Sequence, residues 1–261
     1  MSEITKIYKS KFKESLSPLG FKLYRKTFYR EVNDVVQMMM LDNWDSRYTV
    51  NYGVQPLCLG LTSLEFDGRT IHEYRKGDFD IGHREWEVFC HFAGEKASNE
   101  ELGKYVDEML SIVHSHVMPY FERRVDWQSW LNQFYKRDGT EYDAWIEIKV
   151  GNYEKAIPTI QKQLERKQAV LQIYYADPDD PYGLKKMIKN KIIKEKDFDL
   201  ILEKHIASEN EVRKDIEKLT RYIKLLSIPD TEYFDKIFAE NETKSREYLS
   251  NPRKYKQKHG Y

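Results

Sequence analysis

Strand-forming patterns occupy only the first half of this chain, and this asymmetry constrains the fold most. Residues 48–54 alternate large apolar side chains with small or polar ones, the period-two pattern of a half-buried strand. Segments 21–32 and 35–41 are rich in aromatic and β-favouring residues, and Asn33-Asp34 between them favours a turn. Successive hairpins of this kind predict an antiparallel meander.

Helical spacing of apolar residues precedes and follows the meander. Residues 3–19 form one such segment, and Ser98 and Glu101 stand at the spacing of a capping box that opens a helix reaching Pro119. A further strand is predicted over 87–93. The long helix has one apolar stripe, so we expect the helices to cover one face of the sheet and to leave the other face available.

After residue 124 the patterns are helical throughout. They predict a short helix over 126–135, a helical hairpin around Gly151-Asn152, and helices that start at Tyr182, at the second capping box Ser208–Glu211 and after Asp230. The predicted fold class is α+β, an antiparallel sheet with flanking helices followed by an all-α helical domain. The predicted parts are an α+β domain over 1–125, a helical domain over 126–250 and a basic, disordered tail over 251–261. The patterns do not place residues 57–82.

Composition narrows the class of protein. Aromatic residues make up 14% of the 261 residues, which favours an ordered core. Basic and acidic residues number 43 each, so no global field attracts nucleic acid, which argues against it as a partner. Cys58 and Cys90 have apolar neighbours and predict buried thiols rather than a disulfide framework. With no signal peptide and no apolar stretch of about 20 residues, the sequence predicts a cytoplasmic protein without a membrane partner.

Three N-terminal segments carry a family resemblance. Gly20–Arg30, Asp34–Gln37 and Tyr48–Val54 resemble family 4304 of bacterial domains of unknown function, over roughly residues 1–125. The resemblance implies a fold but no activity, and Leu41–Trp44 departs from the Gln-x-Ser that members often carry there. Gly151–Ala156 resembles the start of the second helix of a tetratricopeptide repeat, but no second copy follows at a spacing of ~34 residues.

No motif specifies a reaction. Phosphate-binding loops, dinucleotide-binding glycine patterns, nucleophile elbows and zinc-protease pairs are all absent from the sequence. His114 and His116 are two apart on a predicted helix and cannot share a metal, while Cys90 and His91 point to opposite faces of a strand. We therefore predict no metal and no cofactor, and leave enzymatic activity open. The carboxylates and imidazoles that a hydrolase could use are Asp42, Asp78, Asp80, His83 and His91.

The candidate binding site is a polar and aromatic set around the second hairpin. Asparagine is disfavoured in a strand unless its amide is hydrogen-bonded, so Asn51 either ties down the loop over 42–47 or contributes to a polar ligand or partner site. Trp44 in that loop is either an anchor for a partner or a buried lid. The members of this site are Tyr29, Arg30, Asp42, Trp44, Arg47 and Asn51.

A run of lysines in the helical half is the remaining candidate. Apolar residues interleave with the lysines, which is typical of an amphipathic helix with a solvated face, and phosphate contact is the alternative. The lysines are Lys185, Lys186, Lys189, Lys191, Lys194 and Lys196. The sequence favours a protein-interaction module, by analogy a regulator or inhibitor, because catalytic motifs are absent and a sheet face is expected to be available. The alternatives are a hydrolase with the carboxylate and histidine set, or a weak nucleic-acid binder through the lysines.

Overall fold

The computed structural model describes residues 2–44, 47–61, 64, 91–92, 97–133, 141–177, 179–228 and 231–259. By its contacts the chain forms two compact units. Unit 1 contains Met1–Tyr135 and Lys236–Tyr261, and unit 2 contains Lys136–Asp235. Unit 2 is therefore inserted into unit 1 along the chain, a division that differs from the predicted boundaries at 125 and 250.

An antiparallel sheet forms the centre of unit 1. Its strand order follows the sequence, and every neighbouring pair is antiparallel, which confirms the predicted meander. Asn33 has a φ of 51° in the turn between the second and third strands, a left-handed conformation that asparagine tolerates better than most residues. The strands are β1 Lys22–Tyr24, β2 Thr27–Val32, β3 Val35–Trp44, β4 Arg47–Pro56 and β5 His91–Phe92.

Helices from the first half of the chain cover one face of this sheet. Tyr8 and Phe12 are fully buried, and their rings lie 5.6 and 5.9 Å from that of Phe28. The capping box is confirmed, because the Ser98 amide donates to the Glu101 carboxylate at 2.8 Å and the Glu101 amide donates to the Ser98 hydroxyl. The helices are α1 Glu3–Leu16, α2 Asn99–Ile112, α3 Met118–Glu122 and α4 Trp127–Gln133, with a π turn at Val113–Val117 between α2 and α3.

Unit 2 is helical. The predicted hairpin is confirmed, and Gly151 at its turn has a φ of 79°. At one end of the unit the Trp145 ring lies 5.2 Å from that of Tyr222. The helix predicted to start at Ser208 does not start there, because one continuous helix passes through that position. The helices are α5 Glu141–Lys149, α6 Tyr153–Tyr174, α7 Leu184–Lys189 and α8 Phe198–Ser227.

The second face of the sheet is covered by the C-terminal helices. Tyr248 and Leu249 share a buried cluster with Tyr29 and Met38, and the Tyr29 hydroxyl donates to the Leu249 carbonyl oxygen at 3.2 Å. The expectation that one face stays available is therefore wrong. The cover comes from helices that begin some 200 residues after β2, and periodicity does not reveal such pairing. These helices are α9 Thr231–Ser250, which re-enters unit 1 at Lys236, and α10 Pro252–His259.

Residues 252–259, within the tail for which the sequence predicts disorder, form helix α10 in the structure. Tyr255 in α10 packs edge-on against Tyr248 at 5.4 Å, and Lys258 forms an ion pair with Glu247 at 2.8 Å. The partly buried Tyr255 ring and this ion pair join α10 to α9, contacts that the composition of the segment does not reveal. Within the residues that the structure describes, no helix combines the length and the apolar character that a membrane crossing requires.

Candidate functional site

The structure places two members of the predicted binding set, Tyr29 and Arg30, on opposite faces of the sheet. Tyr29 is buried on the face that carries α9, while Arg30 lies on the opposite face, since neighbouring residues of a strand alternate. The Arg30 guanidinium donates to Gln37 Oε1 and to the Leu19 carbonyl oxygen, both at 2.8 Å. Gln37 is fully buried, and its Nε2 donates to the Phe121 carbonyl oxygen in α3 at 2.8 Å. Tyr29 and Arg30 therefore each connect elements of unit 1.

The remaining members lie along the second hairpin. Asn51 is buried opposite Met40, on the same face of the sheet as Tyr29. Asp42 pairs with Thr49 and Trp44 with Arg47, so the predicted loop over 42–47 is instead the end of two paired strands. The side chains of Asp42, Trp44 and Arg47 lie outside the described structure.

The hydrolase set is described only in part. Asp78, Asp80 and His83 lie outside the described residues, so this alternative stays a prediction. The two histidines of the π turn have different serine partners: Ser15 Oγ lies 2.7 Å from His114 Nε2 and Ser115 Oγ lies 2.7 Å from His116 Nδ1. In the described part of the chain, no three histidine, cysteine or acidic residues are grouped so that they could hold a metal.

Unit 2 contains a site that the sequence did not reveal. We call residues 165–215, the outer parts of α6 and α8 with the segment between them, the helical arm. Among its described residues only Leu184 and Glu209 are buried. With so few buried apolar side chains, the arm depends more on polar contacts, and those of Glu209 join its parts.

The Glu209 carboxylate is held by three donors. The Tyr175 hydroxyl donates at 2.6 Å, the Tyr182 hydroxyl donates to the other oxygen, and Arg213 Nε donates at 2.7 Å. The hydrogen bond from Tyr175, and then that from Tyr182, lowers the pKa of Glu209 to about 2, because hydrogen bonds to the ionised form favour it. Donating its hydrogen bond to the Glu209 carboxylate raises the pKa of Tyr182. At neutral pH Glu209 is an anion that joins α6, α8 and the segment between them.

Tyr182 is fixed in an unusual conformation by this network. Its φ is 70°, a left-handed value that costs an aromatic residue free energy. Its ring stacks on that of His205 with centroids 5.2 Å apart, and the ring of Tyr174 lies 5.4 Å away. The hydroxyl bond to Glu209 and the stacked ring together hold this conformation, so the end of the arm has a defined shape.

The lysine run lies at this end of the arm. The sequence predicts one helix from Tyr182 through the run, but α7 has only six residues, and Lys191 then takes a φ of 57°. All six lysines are exposed. Lys185 Nζ donates to the Asp179 carbonyl oxygen at 2.6 Å, whereas none of the other five forms an ion pair with a described residue. We call residues 184–196 the lysine tip.

Exposed apolar side chains are concentrated on the same arm. Eight large apolar residues are exposed in the described structure, and five of them belong to residues 165–215. Ile173 is 71% exposed, Ile192 66% and Leu200 56%, and Tyr175 and Ile206 complete the group. The sequence patterns did not single out these positions as an exposed group.

Comparison with known proteins gives no relative for this chain. No family model matches it, no curated protein matches it, and no solved structure matches it. The resemblance of residues 1–125 to family 4304 stays a prediction. Function is therefore inferred from the geometry of the chain itself.

Proposed function

We propose that this chain is a protein-interaction module and that the helical arm is its contact surface. The observation that carries the proposal is the concentration of exposed apolar side chains on residues 165–215. Isolated exposed apolar residues are ordinary, but a concentration of them in one region of a fold is typical of a surface that a partner covers. Burying such side chains in a complex is favourable in proportion to the apolar area removed from water.

The construction of the arm favours the same function. The network around Glu209 joins α6 to α8 through polar contacts, and Lys167 adds an ion pair with Asp215 at 2.6 Å. Apart from Tyr175, whose hydroxyl belongs to the network, the exposed apolar side chains of the arm take no part in these contacts. A surface whose shape is set before binding loses less conformational entropy when a partner covers it.

The sheet no longer supports the interaction function, because helices cover both of its faces. The contact surface is therefore assigned to the arm rather than to the strands. Cys58 is a buried thiol, which fits a reducing, cytoplasmic location for the module.

Site-specific crosslinking in the cells that express the chain tests this proposal. A photoreactive amino acid is placed at Ile173 or at Leu200, and at Ser250, an exposed control in unit 1. We expect a discrete crosslinked product from both arm positions and none from the control. The crosslinked protein, purified and mixed with this chain, should then lose binding to the Ile173→Asp and Leu200→Asp variants.

Each variant is first checked by circular dichroism, since both positions are exposed and the helices should persist. Equal crosslinking at Ser250 and at the arm positions would contradict the proposal, as would a partner that binds the Asp variants with unchanged affinity. A crosslink between two copies of this chain would identify the arm as a surface for self-association.

A further inference from the structure

The lysine tip has an excess of positive charge over its own residues. Residues 184–196 contain six lysines and one acidic residue, Glu195. Five of the lysines form no ion pair within the described structure, as shown above. Beside the tip, the Asp180 carboxylate accepts from the backbone amides of Lys185 and Lys186 at 2.8 and 2.9 Å. The tip therefore presents several ammonium groups to solvent.

An apolar side chain lies in the middle of this charge. Ile192 is 66% exposed, and it stands between Lys191 and Lys194 in the sequence. Met187, Ile188 and Ile193 are half-buried in the same segment. Ammonium groups around an exposed aliphatic side chain complement a ligand in which carboxylates surround an apolar residue.

The backbone of the tip has a defined conformation at both ends of α7. Gly183 and Lys191 take left-handed φ values of 67° and 57°, at the two ends of α7. The Asp180 carboxylate caps the start of α7, and the bond from Tyr182 to Glu209 fixes the residue that precedes Gly183. A counter-charged ligand would relieve the repulsion among the lysines without first having to order the segment.

We propose that the lysine tip binds an acidic protein segment that carries an apolar side chain, which packs against Ile192. This inference rests on the proposed interaction function and names the chemistry of the partner. The tip has no arginine and no aromatic residue, which are the usual means of phosphate and base recognition. The Tyr182 ring beside it is already stacked on His205. An acidic polypeptide therefore fits the tip better than a nucleic acid does.

Fluorescence anisotropy with the full-length chain tests the inference. The probe is a labelled peptide in which glutamates flank one central phenylalanine, and a single-stranded DNA of equal net charge is the comparison. In the first variant, Lys189, Lys191 and Lys194 are all changed to Glu. In the matched control, Lys13, Lys22 and Lys162, which are also exposed, are changed to Glu, so that the net charge changes equally.

We expect the tip variant to weaken peptide binding about tenfold or more and the control variant to change it less than about twofold, because screened charges act over about 10 Å. Ile192→Ser should weaken binding of the phenylalanine peptide several-fold. It should leave unchanged the binding of a peptide that carries alanine in place of the phenylalanine. Equal losses in the two triple variants would overturn the inference. Tighter binding of the DNA than of the peptide would overturn it as well and would identify a polyanion site.

The outcomes of this experiment distinguish a failure of the inference from a failure of the proposed function. If the tip variant binds the peptide normally while crosslinks from Ile173 and Leu200 persist, the arm is an interaction surface and the inference about its tip is wrong. If the peptide binds through the tip and those crosslinks are absent, the apolar positions are not the contact surface.

Discussion

Replacing Ser245 with alanine tests whether α9 holds the second face of the sheet. Ser245 is fully buried, and its hydroxyl accepts from the Leu61 amide at 2.8 Å and donates to the Leu57 carbonyl oxygen at 3.0 Å. The Leu57 oxygen also accepts from the Gly60 amide, so it keeps one bond in the variant, whereas the Leu61 amide loses its acceptor. Alanine removes one atom, leaves almost no cavity and suits a helix.

The expected loss follows from these contacts. A buried amide without an acceptor costs about 1–3 kcal/mol, and the weakened Leu57 carbonyl adds a smaller amount. The better helix propensity of alanine returns roughly 0.5 kcal/mol. We expect Ser245→Ala to lower the free energy of unfolding by about 2 kcal/mol. Ser250→Ala is the control, because Ser250 is exposed on the same helix and should change stability by less than about 0.5 kcal/mol.

Urea unfolding followed by tryptophan fluorescence measures the difference. Four of the five tryptophans belong to unit 1, so the signal reports mainly on the unit that contains Ser245. With a slope of about 2 kcal/mol per molar urea, the midpoint should fall by about 1 M. Coincident midpoints for the Ser245 and Ser250 variants would refute the reasoning, because α9 would then not contribute this contact to the folded state.

Three further predictions concern single residues. Gln37→Leu should destabilise unit 1 by about 2–4 kcal/mol in the same urea assay, because two carbonyl groups at the end of α3 lose a buried donor. Glu209 has a pKa lowered to about 2, so its contribution to stability is present above its unfolded pKa of about 4.3 and is lost as the pH falls from about 5 towards 2. The melting temperature by circular dichroism should therefore differ most between the native chain and Glu209→Gln at neutral pH, and a difference that does not shrink in acid would count against the network. Gly20→Ala should destabilise the chain by about 1 kcal/mol in thermal melts, because Gly20 has a φ of 85°. Gly103→Ala within α2 should instead stabilise it by about 0.5–1 kcal/mol, and the same sign for both would show that conformation does not decide the effect.

The features that the sequence alone determined are those that depend on near neighbours. Alternation over 48–54 and the Asn33-Asp34 turn specified the meander, because a strand and its hairpin partner are only a few residues apart. The capping box at Ser98 and Glu101 formed for the same reason, since both partners lie within one helical turn. The α+β class followed from these local patterns and from the helical spacing after residue 124.

Tertiary contacts decided the rest. The sequence Ser208–Glu211 has the form of a capping box, yet α8 continues through it, and Ser208 Oγ lies 3.3 Å from the Tyr174 hydroxyl on α6 instead. The second face of the sheet is covered because the Tyr29 hydroxyl meets the Leu249 carbonyl group 220 positions further along the chain. A one-dimensional pattern records which residues favour burial or capping, but not which distant group they will meet. The free energy of those long-range contacts exceeds the local preferences, and only the folded structure shows where this happens.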